Sequence, residues 1–346
     1  EEGQKFFEFE NAIIATGSVP MVPKAWDLGN PRVMTSTGAL ELVDIPENLL
    51  VIGGGYIGME LGTVYAGLGS RVTVAEALDT ILAGADADLV RPVARAASRL
   101  FAEVRLGARV AAMVTDGKKI RVTMDHAGKT LTESYDRVLV AVGRRPNTED
   151  LGLENAGVEL DEKGFVRSAA DRRTSNPRIF TVGDAAGGVL LAHKAAREAR
   201  HAVDAIRGEA VSADGDMIPA VIFTDPEVAW CGLTESEARA KSIPIEVARF
   251  GWPASGKAVT FDRTDGVTKL ILEPKTARVL GVGITGAGAG ELIGEGILAV
   301  QMCATAEDIA LSVHPHPTLT ETYMEAAEAF YGVATHTIGR TRPPAR

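Results

Sequence analysis

Three glycines at fixed spacing, followed by a glutamate, form the clearest chemical motif in the sequence. Gly53, Gly55 and Gly58 make the pattern GxGxxG between an apolar run and a helix-forming segment. In this pattern the first glycine permits a tight turn, the second lets the backbone approach a pyrophosphate, and the third lets the helix pack closely on the strand. Glu76 ends the next predicted strand, where its carboxylate can accept hydrogen bonds from ribose hydroxyls. The motif predicts NAD binding, and the carboxylate disfavours the 2′-phosphate of NADP; the alternative is a tight turn with a solvated glutamate.

Two histidines near the end of the chain lie close in sequence to a carboxylate. In HPHPTLTE, His314 and His316 alternate with prolines, and Glu321 falls in the first turn of a helix predicted to start near Thr318. The prolines favour an extended approach, so Glu321 can hydrogen-bond one ring nitrogen of His316, orient the ring and raise its basicity. This pairing predicts general acid–base catalysis. The alternative is a loop histidine that caps the helix; no metal site is predicted, because Pro315 prevents helical spacing of the two rings.

Other short apolar strands also end in small or polar residues. Thr16, Gly17 and Ser18 end one strand, Gly143 ends a second, and Asp184 follows a third in TVGDAAGG. An aspartate after a strand is, taken alone, more often a helix N-cap than a ligand residue. Because several strands end in this way, we expect them to converge on an extended ligand.

The elements that position these residues follow from the apolar pattern. A strand at Asn48–Ile52, a helix that opens at Gly53–Gly58 and continues to about Gly69, and a strand at Arg71–Ala75 form the first unit of a doubly wound parallel sheet. Further strands are predicted at Val104–Leu106, Ile120–Met124, Arg137–Val142 and from Ile179, with an alanine-rich helix at Ala192–Arg207.

The pattern of predicted elements changes after Gly208–Asp216, a stretch of small and polar residues that we interpret as a linker. Beyond it, predicted strands alternate with predicted helices, which indicates a separate α+β domain. The strands are Ile218–Phe223, Thr268–Leu272 and Val279–Thr285, and the helices lie near Thr234–Ala240, Ala289–Cys303 and Thr318–Ala329.

Composition limits the function classes. The 346 residues suggest two or three domains, and the net charge of −10 argues against a nucleic-acid surface. No apolar run reaches the roughly 20 residues of a membrane helix.

Cys231 and Cys303 form no CxxC pattern, so we expect two core thiols rather than a zinc or redox site. The absence of targeting signals and of a disulfide framework predicts a cytoplasmic protein. The first residues lack a methionine and lead directly into a predicted strand, so we expect a truncated amino-terminal end.

Read in order, six segments resemble the pyridine nucleotide-disulfide oxidoreductase family, and specifically its dihydrolipoamide dehydrogenases. They are AIIATGS, GGGYIGMELG, AVGRRPNT at 141–148, TVGDAAGGVLLAHKA at 181–195, IPAVIFTDPEVAWCG at 218–232 and HPHPTLTE at 314–321. The resemblance implies an α/β fold of Rossmann-like FAD- and NAD-binding domains followed by an α+β dimerisation domain. The implied boundaries are 1–45 and 148–216 for the FAD-domain segments, 46–147 for the NAD domain, and 217–346 for dimerisation.

The resemblance also implies roles for individual residues. His316 matches the catalytic base that serves the disulfide of the opposite subunit, and Glu321 matches its partner. FAD contacts are implied for Thr16, Gly17, Ser18, Asp184, Leu190, Leu191, Ala192 and His193. NAD contacts are implied for Gly53, Gly54, Gly55, Tyr56, Ile57, Gly58, Met59, Glu60, Glu76, Val110 and Gly143, with Glu60 near both flavin and nicotinamide.

The implied activity is oxidation of protein-bound dihydrolipoyl groups by NAD through FAD and a CxxxxC disulfide in a homodimer. The implied partners are lipoyl domains of 2-oxo acid dehydrogenase complexes or the glycine cleavage system. No CxxxxC occurs in these residues, so we expect the fragment alone to be inactive and to bind FAD poorly. The alternatives are another flavin disulfide reductase or an NAD(P) transhydrogenase of the same family, and a non-catalytic binding module.

Overall fold

The computed structural model describes residues 6–212 and 216–337, so positions 213–215 of the predicted linker and the first five residues of the predicted truncated end lie outside the described residues. The strands are β1 Ala12–Ile14, β2 Ser18–Pro20, β3 Val33–Met34, β4 Asn48–Ile52, β5 Arg71–Glu76, β6 Glu103–Leu106, β7 Arg109–Asp116, β8 Lys119–His126, β9 Lys129–Tyr135, β10 Arg137–Val140, β11 Arg144–Pro146, β12 Ile179–Thr181, β13 Ala220–Ile222, β14 Glu227–Gly232, β15 Glu246–Gly251, β16 Val267–Leu272 and β17 Val279–Gly286. The α-helices are α1 Ser36–Leu40, α2 Tyr56–Gly67, α3 Ala87–Leu100, α4 Ala192–Ile206, α5 Glu235–Ala240, α6 Gly256–Thr260, α7 Ala289–Gln301, α8 Ala306–Leu311 and α9 Glu321–Tyr331.

The chain divides into two units, one of residues 1–21 and 143–218, and one of residues 22–142 and 219–346. The second unit contains a five-stranded parallel sheet of order β3-β10-β4-β5-β6. Its central strand β4 consists of four fully or nearly buried apolar residues after Asn48, which is the composition of a strand covered on both faces. Helix α2 crosses from β4 to β5, so the predicted strand–turn–helix–strand unit is confirmed.

Helix α3 and strands β7 and β9 of this unit were not predicted, whereas the strand predicted at Ile120–Met124 is confirmed as β8. Helix α3 buries Leu89, Val90, Val93 and Ala97 on one face. Strands β7, β8 and β9 form an antiparallel meander, in which only the middle strand has a continuous buried set, Ile120, Val122 and Met124.

The second unit also contains an antiparallel sheet of order β13-β14-β17-β16-β15. Helices α7 and α9 pack on it, and Tyr323 of α9, fully buried, donates from its hydroxyl to the carbonyl of Leu292 in α7 at 2.9 Å. This antiparallel sheet with helices confirms the predicted α+β domain. Helix α9 begins at Glu321 rather than near Thr318, because the N–H groups of Thr322 and Tyr323 donate to the carbonyls of Leu319 and Thr320, which is the tighter 3₁₀ pattern and not the α-helical one.

The first unit is built on short pairings. Strand β1 runs parallel to β12, strand β2 runs antiparallel to β11, and α4 follows as the longest helix of this unit in its described part. Gly183, at the turn after β12, has φ +72°, a backbone conformation that favours glycine.

The prediction of two core thiols is wrong for one of them. Cys231 in β14 is buried, whereas Cys303 is exposed. Cys303 follows the end of α7 with φ +55°, so the chain leaves the helix in the left-handed conformation and directs the residue outward. Among residues 6–212 and 216–337, every helix is too short or too polar to span a bilayer.

Candidate functional site

The glycine turn after β4 has the geometry that a dinucleotide phosphate requires. Gly53 has φ +108°, and a Cβ there would lie 2.4 Å from the carbonyl oxygen of Ala141. A Cβ on Gly58 would lie 1.9 Å from the carbonyl oxygen of Gly53, so α2 starts in direct contact with the turn. Gly55, by contrast, has open space around its Cβ direction and precedes the first residue of α2 without a side-chain cap. Gly53 and Gly58 therefore allow the turn to close, and Gly55 leaves room for a phosphate at the helix N-terminus.

Glu76, at the end of β5, lies against this turn. Its Oε2 accepts from the N–H of Gly54 at 2.5 Å, and its Oε1 accepts from the N–H of Leu78 at 2.7 Å. Each carboxylate oxygen has a further acceptor position, so ribose hydroxyls can still bind. The half-buried carboxylate thus has a structural role in the turn as well as the predicted role toward NAD.

The other residues predicted to contact NAD are distributed around α2 and neighbouring elements. Tyr56 is exposed in the first turn of α2, Ile57 is half-buried, and Met59 is buried. Val110 is half-buried at the start of β7, opposite Met124.

Glu60 is fixed by a contact that the sequence did not suggest. Its Oε1 accepts from the N–H of Phe223, just after β13, at 2.8 Å. Burial raises the pKa of Glu60, and this hydrogen bond opposes the rise. The carboxylate therefore joins α2 to the antiparallel sheet.

The first unit has its own polar cluster at the strand ends. The Ser18 hydroxyl donates to Oδ2 of Asp184 at 2.5 Å, and Nε–H of Arg144 donates to the Ser18 hydroxyl at 2.6 Å. Oδ1 of Asp184 has no partner among the described residues. Gly17 has φ +72° and open space around it, while Thr16 is exposed. A free carboxylate oxygen beside an open glycine fits the predicted hydroxyl-binding role of Asp184 toward FAD, and Arg144 is a member of the cluster that sequence analysis missed.

Asp184 is not a helix N-cap. It lies inside the 3₁₀ turn Gly183–Ala186, whose cap position is Val182. Gly143, on the same unit, has φ +139° and is exposed.

A buried ion pair holds the turn that carries Asp184. Oε2 of Glu198 accepts from the N–H of Gly183 at 2.8 Å and from Nζ of Lys194 at 2.9 Å, and Lys194 also donates to the carbonyl of Gly183. Arg172 donates to the other oxygen of Glu198 at 2.7 Å. The first turn of α4 is preceded by Leu190 and Leu191, both half-buried, and begins with the exposed pair Ala192 and His193. The i, i+4 spacing of a lysine and a glutamate in this helix was the sequence signal for the pair.

The two histidines before α9 differ in what their ring nitrogens do. His314 uses both: Nδ1 is 2.8 Å from the carbonyl of Ser312, and Nε2 is 2.9 Å from Oε1 of Glu295. His316 uses only one: Nδ1 is 2.9 Å from Oε1 of Glu321, and 73% of the side chain is exposed. Because an ionised carboxylate only accepts hydrogen bonds, Nδ1 carries the proton, and neutral His316 presents a bare Nε2 to solvent. His316 is therefore the ring that is oriented and free to take a proton.

Glu321 is held ionised in the first turn of α9. Burial opposes ionisation, but the N–H of Thr318 at 2.7 Å and the His316 ring together lower the pKa of Glu321. The helix N-terminus also favours a negative charge. The carboxylate thus remains available to hold Nδ1–H of His316.

A chain of buried hydrogen bonds connects the turn that precedes α9 to the antiparallel sheet. Nε1–H of Trp252 donates to the hydroxyl of Thr268 at 3.0 Å, which is 2.8 Å from the hydroxyl of Thr322. The Thr322 hydroxyl donates to the carbonyl of Leu319 at 2.7 Å. Trp252, Thr268 and Thr322 are fully buried, so the turn that precedes Glu321 is tied to the sheet core.

A charge cluster lies between α3 and the antiparallel sheet. Nζ of Lys269 in β16, 1% exposed, lies 2.7, 2.7 and 2.8 Å from carboxylate oxygens of Asp86, Asp88 and Glu235. Burial raises the pKa values of Asp86 and Asp88, but hydrogen bonds from Lys269 outweigh burial, so both pKa values are lowered. The ammonium occupies the position that a metal ion would need among these three carboxylates.

The parallel sheet, its glycine turn and the oriented histidine define a dinucleotide-dependent oxidoreductase with an appended α+β domain. Comparison with known proteins gives the family. Residues 1–199 match the model of pyridine nucleotide-disulphide oxidoreductases, and residues 218–327 match the dimerisation domain of the same family. The chain belongs to the pyridine nucleotide-disulphide oxidoreductase family, whose members use FAD and NAD, and its dimerisation domain supports the predicted homodimer.

Curated relatives cover nearly the whole chain. A dihydrolipoyl dehydrogenase of Vibrio cholerae is 44% identical over 97% of the chain and 70% of its own length. A dihydrolipoyl dehydrogenase of Staphylococcus aureus is 41% identical over 98% of the chain and 72% of its own length.

Solved structures of lower identity share the fold. The HOCl-induced flavoprotein disulfide reductase RclA of Escherichia coli has a TM-score of 0.85 at 28% identity, over 92% of this chain and 73% of its own. LpdA of Mycobacterium tuberculosis has a TM-score of 0.83 at 29% identity, over 92% and 69%.

Proposed function

We propose that this chain provides the NAD-binding turn and the proton-accepting histidine of a dihydrolipoyl dehydrogenase. The observation that carries the proposal is His316, whose Nδ1 is held by Glu321 and whose Nε2 is exposed. The names of the relatives that are 41–45% identical to the chain support the same activity.

The reaction removes two electrons and two protons from a dihydrolipoyl group, whose two thiols close into a disulfide. A thiol is mostly protonated at neutral pH, and only the thiolate is a good nucleophile. His316 accepts the thiol proton at Nε2, and Glu321 stabilises the resulting imidazolium through Nδ1–H. When bound, FAD and NAD together supply the acceptors for the two electrons.

The residues present fit both cofactors. The turn Gly53–Gly58 and Glu76 would hold the pyrophosphate and adenosine ribose of NAD, and Ser18, Asp184 and Arg144 would hold the hydroxyl-bearing chain of FAD. Neither thiol of this chain is a candidate for the redox disulfide. Cys231 is buried in β14 and burial raises its pKa to about 12, while Cys303 lies apart from it at the end of α7.

Lipoyl domains of 2-oxo acid dehydrogenase complexes or of the glycine cleavage system are the partners that such an activity requires. We propose a cytoplasmic location, which two free thiols support.

The test is His316→Ala in the intact holoenzyme. We expect dihydrolipoamide-dependent NAD reduction to fall by about 10² to 10⁴-fold, the usual contribution of a positioned general base. Oxidation of NADH by an artificial dye bypasses the thiol step and should persist. His126→Ala, which removes a histidine from the end of β8, is the matched control and should leave both activities unchanged.

A second variant separates chemistry from structure. Glu321→Gln keeps the size of the side chain but removes the charge that holds the imidazolium, so the pH profile of lipoamide turnover should shift while NADH binding stays constant. Full lipoamide activity in His316→Ala would overturn the assignment. Preferential turnover of glutathione disulfide, or of NADP, would instead indicate another reductase or a transhydrogenase.

A further inference from the structure

A groove lined by arginines lies in the unit of residues 22–142 and 219–346. Its volume is about 420 Å³, within the range of small-ligand sites of roughly 300–1,000 Å³. Helix α3 forms one wall, and Arg249, Pro253 and the segment Thr264–Val267 form the other. None of its lining residues belongs to the glycine turn or to the pair His316 and Glu321. The groove is therefore separate from the proposed catalytic and NAD residues.

Three arginines follow one another along the α3 wall. Arg91, Arg95 and Arg99 are spaced four residues apart, so they lie on successive turns and their Cα atoms span about 12 Å. All three are exposed, and none of their side chains has a hydrogen-bond or ion-pair partner in the part of the chain that the structure describes. Arg249 differs, because it donates to Asp88 at 2.7 Å and also bonds Glu235. The three guanidinium groups of α3 are thus unpaired donors.

The groove remains positive when its acidic residues are counted. Two aspartates line it, Asp88 and Asp265. Asp88 is bonded by Lys269 and Arg249, each at 2.7 Å, and Asp265 lies 3.6 Å from Nε of Arg263. Lys269 also pairs with Asp86 and Glu235, and Arg263 also pairs with Asp225, so these cations offset the two aspartates only in part. The four arginines that line the groove still outnumber its two aspartates. An excess of positive charge persists locally in a chain whose net charge is −10.

Arg91, Arg95 and Arg99 repel one another, and a bound anion would offset this repulsion. Like charges four residues apart on a helix repel each other. A linear anion with several charges would lie along the row and offset that repulsion at each turn. The planar guanidinium fork matches phosphate oxygens, to which it can donate two hydrogen bonds at once. A single phosphate would have to draw the two outer side chains toward the middle of the row, whereas a linear anion matches the spacing of about 12 Å between the outer Cα atoms.

We propose that this groove binds a linear polyphosphate group through Arg91, Arg95 and Arg99. Thr264 on the opposite wall provides a hydroxyl donor, and Pro92 and Pro253 provide apolar contact for any group that the polyphosphate carries. The same phosphate chemistry occurs in free polyphosphate and in nucleoside triphosphates.

Calorimetric titration of the intact holoenzyme with inorganic tripolyphosphate tests the proposal. The NAD site is first saturated with NADH, so that phosphate cannot bind to the glycine turn. We expect one saturable site per chain, at least about tenfold tighter than orthophosphate, because several arginines act together. ATP identifies the source: tighter binding than tripolyphosphate supports a nucleotide, and equal affinity supports a free polyphosphate chain.

The triple variant Arg91→Gln, Arg95→Gln and Arg99→Gln should bind tripolyphosphate at least about tenfold more weakly. The control is Lys118→Gln, Lys241→Gln and Lys275→Gln, which removes the same charge from exposed positions outside the groove and should change affinity by less than about twofold. NADH affinity should be unchanged in both proteins, which shows that they fold. The absence of saturable binding, or equal weakening in both triple variants, would overturn the proposal.

Discussion

Replacing Lys269 by methionine tests whether the buried charge cluster holds α3 onto the antiparallel sheet. The ammonium lies within 2.8 Å of three carboxylates, whose side chains are 5%, 17% and 24% exposed. Removing one partner of a buried ion pair typically costs about 3–5 kcal/mol, because the opposite charges remain without compensation. Asp86 keeps hydrogen bonds from Glu235 and Ser236, and Arg249 still bonds the other two carboxylates. We therefore expect the lower end, about 3 kcal/mol of unfolding free energy.

The pH dependence has a definite sign. In the wild type, Lys269 lowers the pKa values of Asp86 and Asp88, so the stability they contribute is present above their unfolded pKa and is lost as pH falls through the folded value. In the variant, crowding of the carboxylates without the ammonium raises their pKa values, and protonation relieves the repulsion as pH falls. The difference between the two proteins should therefore be largest near pH 7.5 and smaller near pH 5.

Urea unfolding at one protein concentration and at both pH values measures this difference. Lys241→Met, at an exposed position after α5, is the matched control and should change the unfolding free energy by less than about 0.5 kcal/mol. A loss below about 1 kcal/mol for Lys269→Met at pH 7.5, or a loss that does not vary with pH, would refute the reasoning.

Three further outcomes follow from single positions. Gly58→Ala should weaken NADH binding by at least about tenfold in a fluorescence titration, since its Cβ would lie 1.9 Å from the carbonyl oxygen of Gly53 and push α2 off the turn; unchanged affinity would contradict the geometry. Glu76→Ala should raise the KM for NAD and lower the melting temperature together, because the carboxylate holds two N–H groups of the turn; a KM effect without a stability effect would argue against the structural role. Iodoacetamide at pH 8 should label Cys303 and spare Cys231 in peptide mapping of the native protein, because burial raises the pKa of Cys231 to about 12; labelling of both at equal rates would show that β14 opens readily.

Elements were predicted correctly from the sequence where a continuous apolar run or a set of spaced glycines is enough to determine the local structure. The apolar run Asn48–Ile52 and the glycines that follow define a buried strand and a tight turn without reference to distant residues, and the structure confirms both. The pairing of His316 with Glu321 was also predicted, since a proline-stiffened approach and a helix start place the two side chains within one turn.

Elements with mixed composition were missed. Helix α3 contains Pro92 and four charged residues, so its apolar face is visible only when Leu89, Val90, Val93 and Ala97 are aligned at helical spacing. Strands β7 and β9 are largely exposed on both faces and have few buried apolar residues to mark their period.

Long-range contacts were beyond the reach of local patterns. A lysine within the apolar run of β16 gives no local sign of being buried, because its three partners lie at the start of α3 and of α5, which are distant in sequence; one of them, Asp86, is the N-cap of α3. The bond between Glu60 and the Phe223 N–H joins two separate elements in the same way.

The chain of buried hydrogen bonds before α9 also gives the protein an internal optical probe. Trp252 is fully buried and its indole N–H is linked through Thr268 and Thr322 to the turn before Glu321. The emission of an indole depends on the polarity and hydrogen bonding around it, so displacement of that turn should alter the Trp252 signal. With Trp26 and Trp230 replaced by phenylalanine, fluorescence from Trp252 can therefore follow, in real time, whether the segment proposed to accept the proton is in place.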